Sequence, residues 1–163
     1  MITTVLVYTM NRTGQVGAWS RYLFPFSVDA FTQLGDDLYI RHGDEVSKVS
    51  EAALTDSVGG VAIPFTGVVQ WNWLDFGQPG TTKMMEAFDL VATGSPSIAF
   101  GYDQRDVSLF TPDYAVTPDT LAGGMIPYPI SFPTLSVRLT FTGGSAWSVQ
   151  QVMLGLHDNR AGA

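Results

Sequence analysis

The stretch Thr134-Leu135-Ser136-Val137-Arg138-Leu139-Thr140-Phe141-Thr142 decides the fold class. Leu135, Val137, Leu139 and Phe141 fall on one side, and Ser136, Arg138, Thr140 and Thr142 on the other. That is the two-residue period of a strand with one buried face. Gly143-Gly144 follows and predicts a hairpin into a returning strand over 146–156. The alternation in that strand slips near Gln150-Gln151, as a β-bulge would make it slip. Upstream, Ile98, Phe100 and Tyr102 alternate within 97–103. Residues 83–93 contain helix-forming Met, Glu, Ala and Leu, but their alternation and their end at Gly94-Ser95-Pro96 predict a strand. Met84, Glu86, Phe88 and Leu90 then lie on one side, and Met85, Ala87, Asp89 and Val91 on the other. Residues 104–129 hold Pro112, Pro118, Gly123-Gly124, Pro127 and Pro129, and read as a long loop with one short edge strand. Residues 61–76 read as extended, with Val69, Trp71, Trp73 and Asp75 on one face. They run into the turn Gly77-Gln78-Pro79-Gly80.

The N-terminal third repeats the pattern on a smaller scale. Strands are expected over 4–10, 17–24 (stopped by Pro25), 29–34, 38–41 and 46–49. The turns between them are Asn11-Arg12-Thr13-Gly14, Gly35-Asp36-Asp37 and His42-Gly43-Asp44-Glu45, so this part reads as a β-meander. Residues 50–60 differ: Ser50 to Asp56 suit a helical turn or a linker ending at Gly59-Gly60. The expected organisation is all-β. A short meander occupies 1–50, a linker 51–60, a β-sandwich with jelly-roll-like packing 61–158, and a tail 159–163.

Composition narrows the function. Charged residues make up 14% of the 163 residues, against about 25% in ordinary chains. Such a surface is either rich in neutral polar groups or partly covered by partner subunits, whose interface cores are poor in charge. The net charge is −7 with two lysines, which suits neither phosphate gripping nor any nucleic-acid role beyond letting the polymer pass. There is no cysteine, so neither a disulfide framework nor a cysteine zinc site is expected. Residues 1–10 lack the pattern of a cleaved leader, and no apolar run approaches the ~20 residues needed to span a bilayer.

Two stretches together resemble a known family. Trp19-Ser20-Arg21-Tyr22, Asp29-Ala30-Phe31, Gly35-Asp36-Asp37-Leu38-Tyr39-Ile40 and Gly43-Asp44-Glu45-Val46 look like a propeller-type blade. They are followed by Trp73-Leu74-Asp75-Phe76-Gly77-Gln78-Pro79-Gly80-Thr81-Thr82-Lys83. This order is similar to the C-terminal part of tail nozzle, tail tubular or packaged-DNA-stabilising proteins of short-tailed bacteriophages. The resemblance implies a propeller-blade-like meander followed by a β-sandwich. It also implies a homo-oligomeric ring, usually sixfold, around the DNA channel of a virion tail or head–tail connector. Partners would be further copies and neighbouring tail proteins, with DNA only as passing cargo. The protein would be made in the host cytoplasm and located in the virion tail.

No catalytic constellation stands out, and no enzyme, cofactor or metal site is expected. His42 and His157 are the two histidines; the first reads as a solvated turn residue and the second as part of a frayed end. Asp103-x-x-Asp106 before Asp113 offers oxygens of the kind calcium takes, but turn aspartates ordinarily cap backbone donors. Asp75 and Glu86 would face each other across a hairpin in a glycosidase-like reading. Trp71 and Trp73 on one face can stack sugar rings, or anchor a core or a subunit interface. Together with Tyr114 and Tyr128 they are the candidate interface or ligand-contact residues. The alternative function is therefore a carbohydrate-binding or receptor-binding β-sandwich module.

Overall fold

The computed structural model describes residues 2–11, 16–50, 52–53, 55–117 and 124–157. Among them the chain is all-β, with antiparallel sheets and no helix. It divides into two units, Met1–Ile63 and Pro64–Ala163. The expected turn over 11–14 (beyond Asn11), residues 118–123 of the proline-rich loop and the tail 159–163 lie outside the described residues.

The first unit contains three small sheets. Strands β1 (Thr3–Asn11) and β2 (Val16–Phe24) form a two-stranded ribbon in register from Thr3 opposite Phe24 to Asn11 opposite Val16. Strands β3 (Ala30–Leu34), β4 (Asp37–His42) and β5 (Glu45–Val49) form a sheet in chain order, each within a residue or two of the expected span. Strands β6 (Thr55–Val58) and β7 (Val61–Pro64) pair as a second ribbon. Thus 55–58, expected as a helical turn or linker, is a strand. Gly59-Gly60, both at positive φ, folds it back on Val61–Pro64.

Residues directly opposite in an antiparallel pair share a face. Phe31 lies opposite Ile40, and Leu38 opposite both Gln33 and Val49. One face of the β3–β4–β5 sheet therefore collects Phe31, Leu38, Ile40, His42 and Val49. Ile40 is 2% exposed, whereas Leu38 is 41% exposed. Ile40 and His42 are the buried residues of this unit among those described. An aromatic ladder supports them: Tyr22 stacks on Phe24, Phe24 meets Phe26, and Phe26 stacks on the His42 ring at 4.1 Å.

The second unit holds two larger sheets. One has the order β11 (Tyr114–Ala115), β10 (Ser97–Gly101), β13 (Ser136–Phe141), β8 (Gly67–Gln70). The other has the order β12 (Ile126–Phe132), β9 (Lys83–Thr93), β14 (Ser148–His157). Side chains of both meet in one core: Met85, Phe88 and Leu90 from β9, Ile98 and Phe100 from β10, Phe132 from β12, and Leu135, Val137, Leu139 and Phe141 from β13 or its start. Phe88 meets Phe100 across the layers with ring centroids 5.3 Å apart. The inward set expected of 134–142 is the observed one.

Four details differ from the sequence reading. Gly143-Gly144 does not close a hairpin, because β13 and β14 belong to different sheets and β14 pairs with β9. Trp147 explains the crossing. Its indole stacks on Phe141 at 4.3 Å, and it fills space over Gly67 that a Cβ there would overlap. Strand β9 does not alternate throughout. Glu86 is an extra residue relative to β14, so Met85 and Phe88 both point into the core. Residues 126–132, expected as loop, form β12 at a sheet edge, where Pro127 and Pro129 occupy exposed alternate positions and lose no buried bond. Ser136, expected outward, is fully buried. The slip expected near Gln150-Gln151 is present, with Gln150 the extra residue of β14.

Candidate functional site

The site lies in the second unit, where the chain leaves β8. Gln70 is opposite Arg138 and Leu74 opposite Leu135, so the 70–74 side carries one more residue than β13. The backbone stays attached through Trp71 N to Val137 O (3.0 Å) and the reciprocal bonds between Leu74 and Leu135 (2.8 and 2.9 Å). The extra residue breaks the alternation that would place Trp71 and Trp73 side by side. Trp71 is 36% exposed, and its carbonyl accepts a 2.7 Å bond from the buried Ser136 hydroxyl. Trp73 is half-buried, 6.3 Å from the Phe110 ring. A Cβ on Gly101 would come within 2.7 Å of the Trp73 indole, so this glycine admits the ring.

A tight turn follows. Gln78 N donates to Asp75 O (3.0 Å), and Gly77 N to the Asp75 carboxylate (2.9 Å). Phe76 takes φ 54° and Gly77 φ 71°, the signs of a type I′ turn, in which a bulky residue at the first position is strained. Lys83 fastens the segment behind it. This lysine is buried, and its ammonium donates to the carbonyls of Gln78 (2.8 Å), Thr81 (2.8 Å) and Pro133 (2.9 Å). All three of its protons are used on backbone, so it ties two loops together.

Opposite lies the loop after β10. Asp103 accepts from Arg105 through Nε (3.0 Å), Nη2 (2.7 Å) and the backbone N (3.0 Å). These bonds to the guanidinium and the amide pull the Asp103 carboxyl down to about 2. The bonds from the Ser108 hydroxyl and amide lower Asp106 in the same way. Arg138 lies over the Phe110 ring at 4.0 Å, with Asp113 at 3.9 Å. Between the loops is an open depression of about 720 Å³, lined by Trp73, Asp75, Gln104, Arg105 and Thr134 among others.

The structure separates the other candidates. Tyr114 and Tyr128 form a second aromatic group, edge-on to one another at 6.0 Å and packed against Phe88; Tyr128 also meets Phe100. They cap the core and do not line the depression. Glu86 is absent from the depression that Asp75 lines, and is paired instead with His157 at 3.0 Å. His157 is thus the ordered end of β14 and not a frayed residue. His42 is buried, not solvated. It is stacked on Phe26, with Nε2 2.9 Å from Ser47 Oγ. Each of Asp103, Asp106 and Asp113 has its own local partner. Among the described residues no group of three His, Asp or Glu converges as metal ligands would.

The sequence reading missed Gln104, Arg105, Lys83 and Thr134. An Asp-x-Arg-Asp turn signals the first pair only once Trp73 is known to lie opposite. The depression offers an aromatic ring beside amide, carboxylate and guanidinium groups, which suits reversible binding of a polar ring. Its carboxylates are already engaged in turns. The chain matches no family model, no curated protein and no solved structure. Among the described residues no helix is long and apolar enough to cross a membrane.

Proposed function

We propose that this chain is a structural virion protein of a bacteriophage tail or head–tail connector, assembling with copies of itself into a ring around the DNA channel. The finer fold reading belongs to the same proposal: a propeller-blade-like meander followed by a jelly-roll-like β-sandwich. One observation carries it. The first unit leaves large apolar side chains on its ribbon and its three-stranded sheet uncovered, Leu6, Leu23, Phe31, Leu34 and Val46 among them. Apolar exposure of that extent supports a surface that other subunits would cover.

Charge supports the role of DNA as passing cargo. The chain carries −7 and two lysines. Lys48 is bonded to Asp37 at 2.7 Å, and Lys83 is consumed by three carbonyls. No free lysine remains to grip phosphates. Neighbouring tail proteins would contact the same virion-located assembly, made in the host cytoplasm.

The test is the solution mass by light scattering after size exclusion, with electron microscopy of the peak. A mass several times 17.6 kDa that persists on dilution, with ring images, is the expected result. A monomer at every concentration contradicts it. A second reading, glycan or receptor binding, is favoured by the placement of Trp73 beside Gln104 and Arg105 in the depression. A glycan array decides that one: it requires binding that Trp73→Ala abolishes.

A further inference from the structure

The depression beside Trp73 holds polar groups that the fold has not used. Asp75 Oδ1 accepts from Gly77 N at 2.9 Å, and among the described residues Oδ2 has no partner. Arg105 spends Nε and Nη2 on Asp103, which leaves Nη1. The exposed Gln104 amide makes no hydrogen bond among the described residues. The Thr134 hydroxyl is the one buried side-chain polar atom left without a partner among the described residues. Such an atom costs stability until something bonds it. It swings about the single χ1 bond, and its residue lines the depression, so a ligand there can supply the partner.

The surroundings of these groups are fixed in advance. Lys83 ties the carbonyls of Gln78 and Thr81 to that of Pro133, the residue before Thr134. Phe76, next to Asp75, is the one non-glycine residue at positive φ among those described. Strained backbone of that kind gathers where a structure clamps a ligand. The volume, about 720 Å³, is that of a small-molecule site.

The unused groups define the ligand. Asp103 and Arg105 cancel as an ion pair, so Asp75 leaves the depression with one net negative charge. An acidic ligand meets that charge as a like charge. An organic cation offers no acceptor, and leaves the N–H groups of Gln104 and Arg105 unmet. A sugar hydroxyl both donates and accepts. A neutral sugar ring can therefore serve Asp75, Gln104, Arg105 and Thr134 alike while its apolar face covers the Trp73 indole. We propose that the depression binds a neutral sugar residue of a glycan in this way. This rests on the glycan-binding reading and names the class of sugar and the residues that select it.

The test puts the full chain on an array of neutral, sialylated, uronate-bearing, sulfated and amine-bearing glycans. Titration calorimetry of the best binder and urea unfolding of each variant follow. Neutral glycans should bind, and Trp73→Ala should abolish that binding. Thr134→Val removes the unpartnered hydroxyl at nearly the same shape, so it should weaken binding about three- to tenfold without lowering the urea midpoint. Gln104→Ala, at an exposed side chain, should do the same. A chain that binds no glycan overturns the glycan-binding reading and this inference together. Binding confined to acidic or amine-bearing glycans overturns the neutral class alone. Neutral binding that is lost with Trp73→Ala but unchanged in both Thr134→Val and Gln104→Ala also overturns this inference and leaves the glycan-binding reading standing.

Discussion

Strands β4 and β13 have the same length and the same alternating character, yet they are used differently. Strand β13 lies between β10 and β8, with Val137, Leu139 and Phe141 buried in the core that Met85, Phe88 and Leu90 of β9 share, and with Arg138 on its second face packed over the Phe110 ring. Strand β4 lies between β3 and β5 and buries Ile40 and His42, while Leu38 on the same face stays open. The difference is not in the strand but in whether a second layer exists. The Pro64–Ala163 unit supplies two sheets, whose side chains close a core. The Met1–Ile63 unit supplies single sheets held by a short aromatic ladder. A unit of about 60 residues is near the lower limit for a self-sufficient core, and this one leaves Phe31, Leu38 and Val49 of that face exposed.

Perturbing the two units should therefore give unequal results. The largest effect is expected from Phe88→Ala, which empties the centre of the second unit and should cost about 3–5 kcal/mol in urea unfolding. Lys83→Met comes next. It strands the carbonyls of Gln78, Thr81 and Pro133 and should cost about 3 kcal/mol, seen as a lower urea midpoint at unchanged slope. Phe31→Ser with Leu38→Ser should change the stability of the monomer by less than about 1 kcal/mol, since both side chains are already exposed. The same pair should diminish the assembled mass in light scattering. A large loss of monomer stability from this pair would mean that the first unit has a core of its own.

The smallest effect is expected from acid. The folded Asp103 carboxyl is lowered to about 2, below the ordinary carboxylate value. A lowered carboxyl adds stability that is present above the unfolded value and lost as pH falls through the folded one. The turn over 103–108 should hold above about pH 4 and loosen progressively towards pH 2. Asp103→Asn should reduce that dependence to the part that Asp106 contributes, followed through the fluorescence of nearby Trp73.

Much of the fold was legible because alternation is a local signal. Strand β9 was readable despite its helix formers, and β13 showed its inward face directly. What was not legible depends on distant partners. The glycines at 143–144 carry no mark that the next strand joins β9, because Trp147 needs Gly67, some eighty residues away, to make room for it. Pro127 and Pro129 hid β12, since their tolerance depends on an edge position that only the sheet order reveals. The candidate site was half legible. Trp73 and Asp75 could be named in advance, whereas Arg105, Gln104 and Lys83 became part of it only through loops folded onto one another. Trp71, Tyr114 and Tyr128 were chosen for residue type, and the bulge after Gln70 and the core around Phe88 send them elsewhere.

Under the proposed assembly the first unit is completed by another copy, whereas the second stands alone. Amide hydrogen exchange of the full chain, at concentrations above and below assembly, tests it most directly. Residues 85–90, 97–101 and 136–141 should exchange slowly at both concentrations. Residues 3–8, 20–24 and 37–49 should be slow when concentrated and should exchange fast on dilution. Equal protection of both units in the dilute monomer would contradict the account.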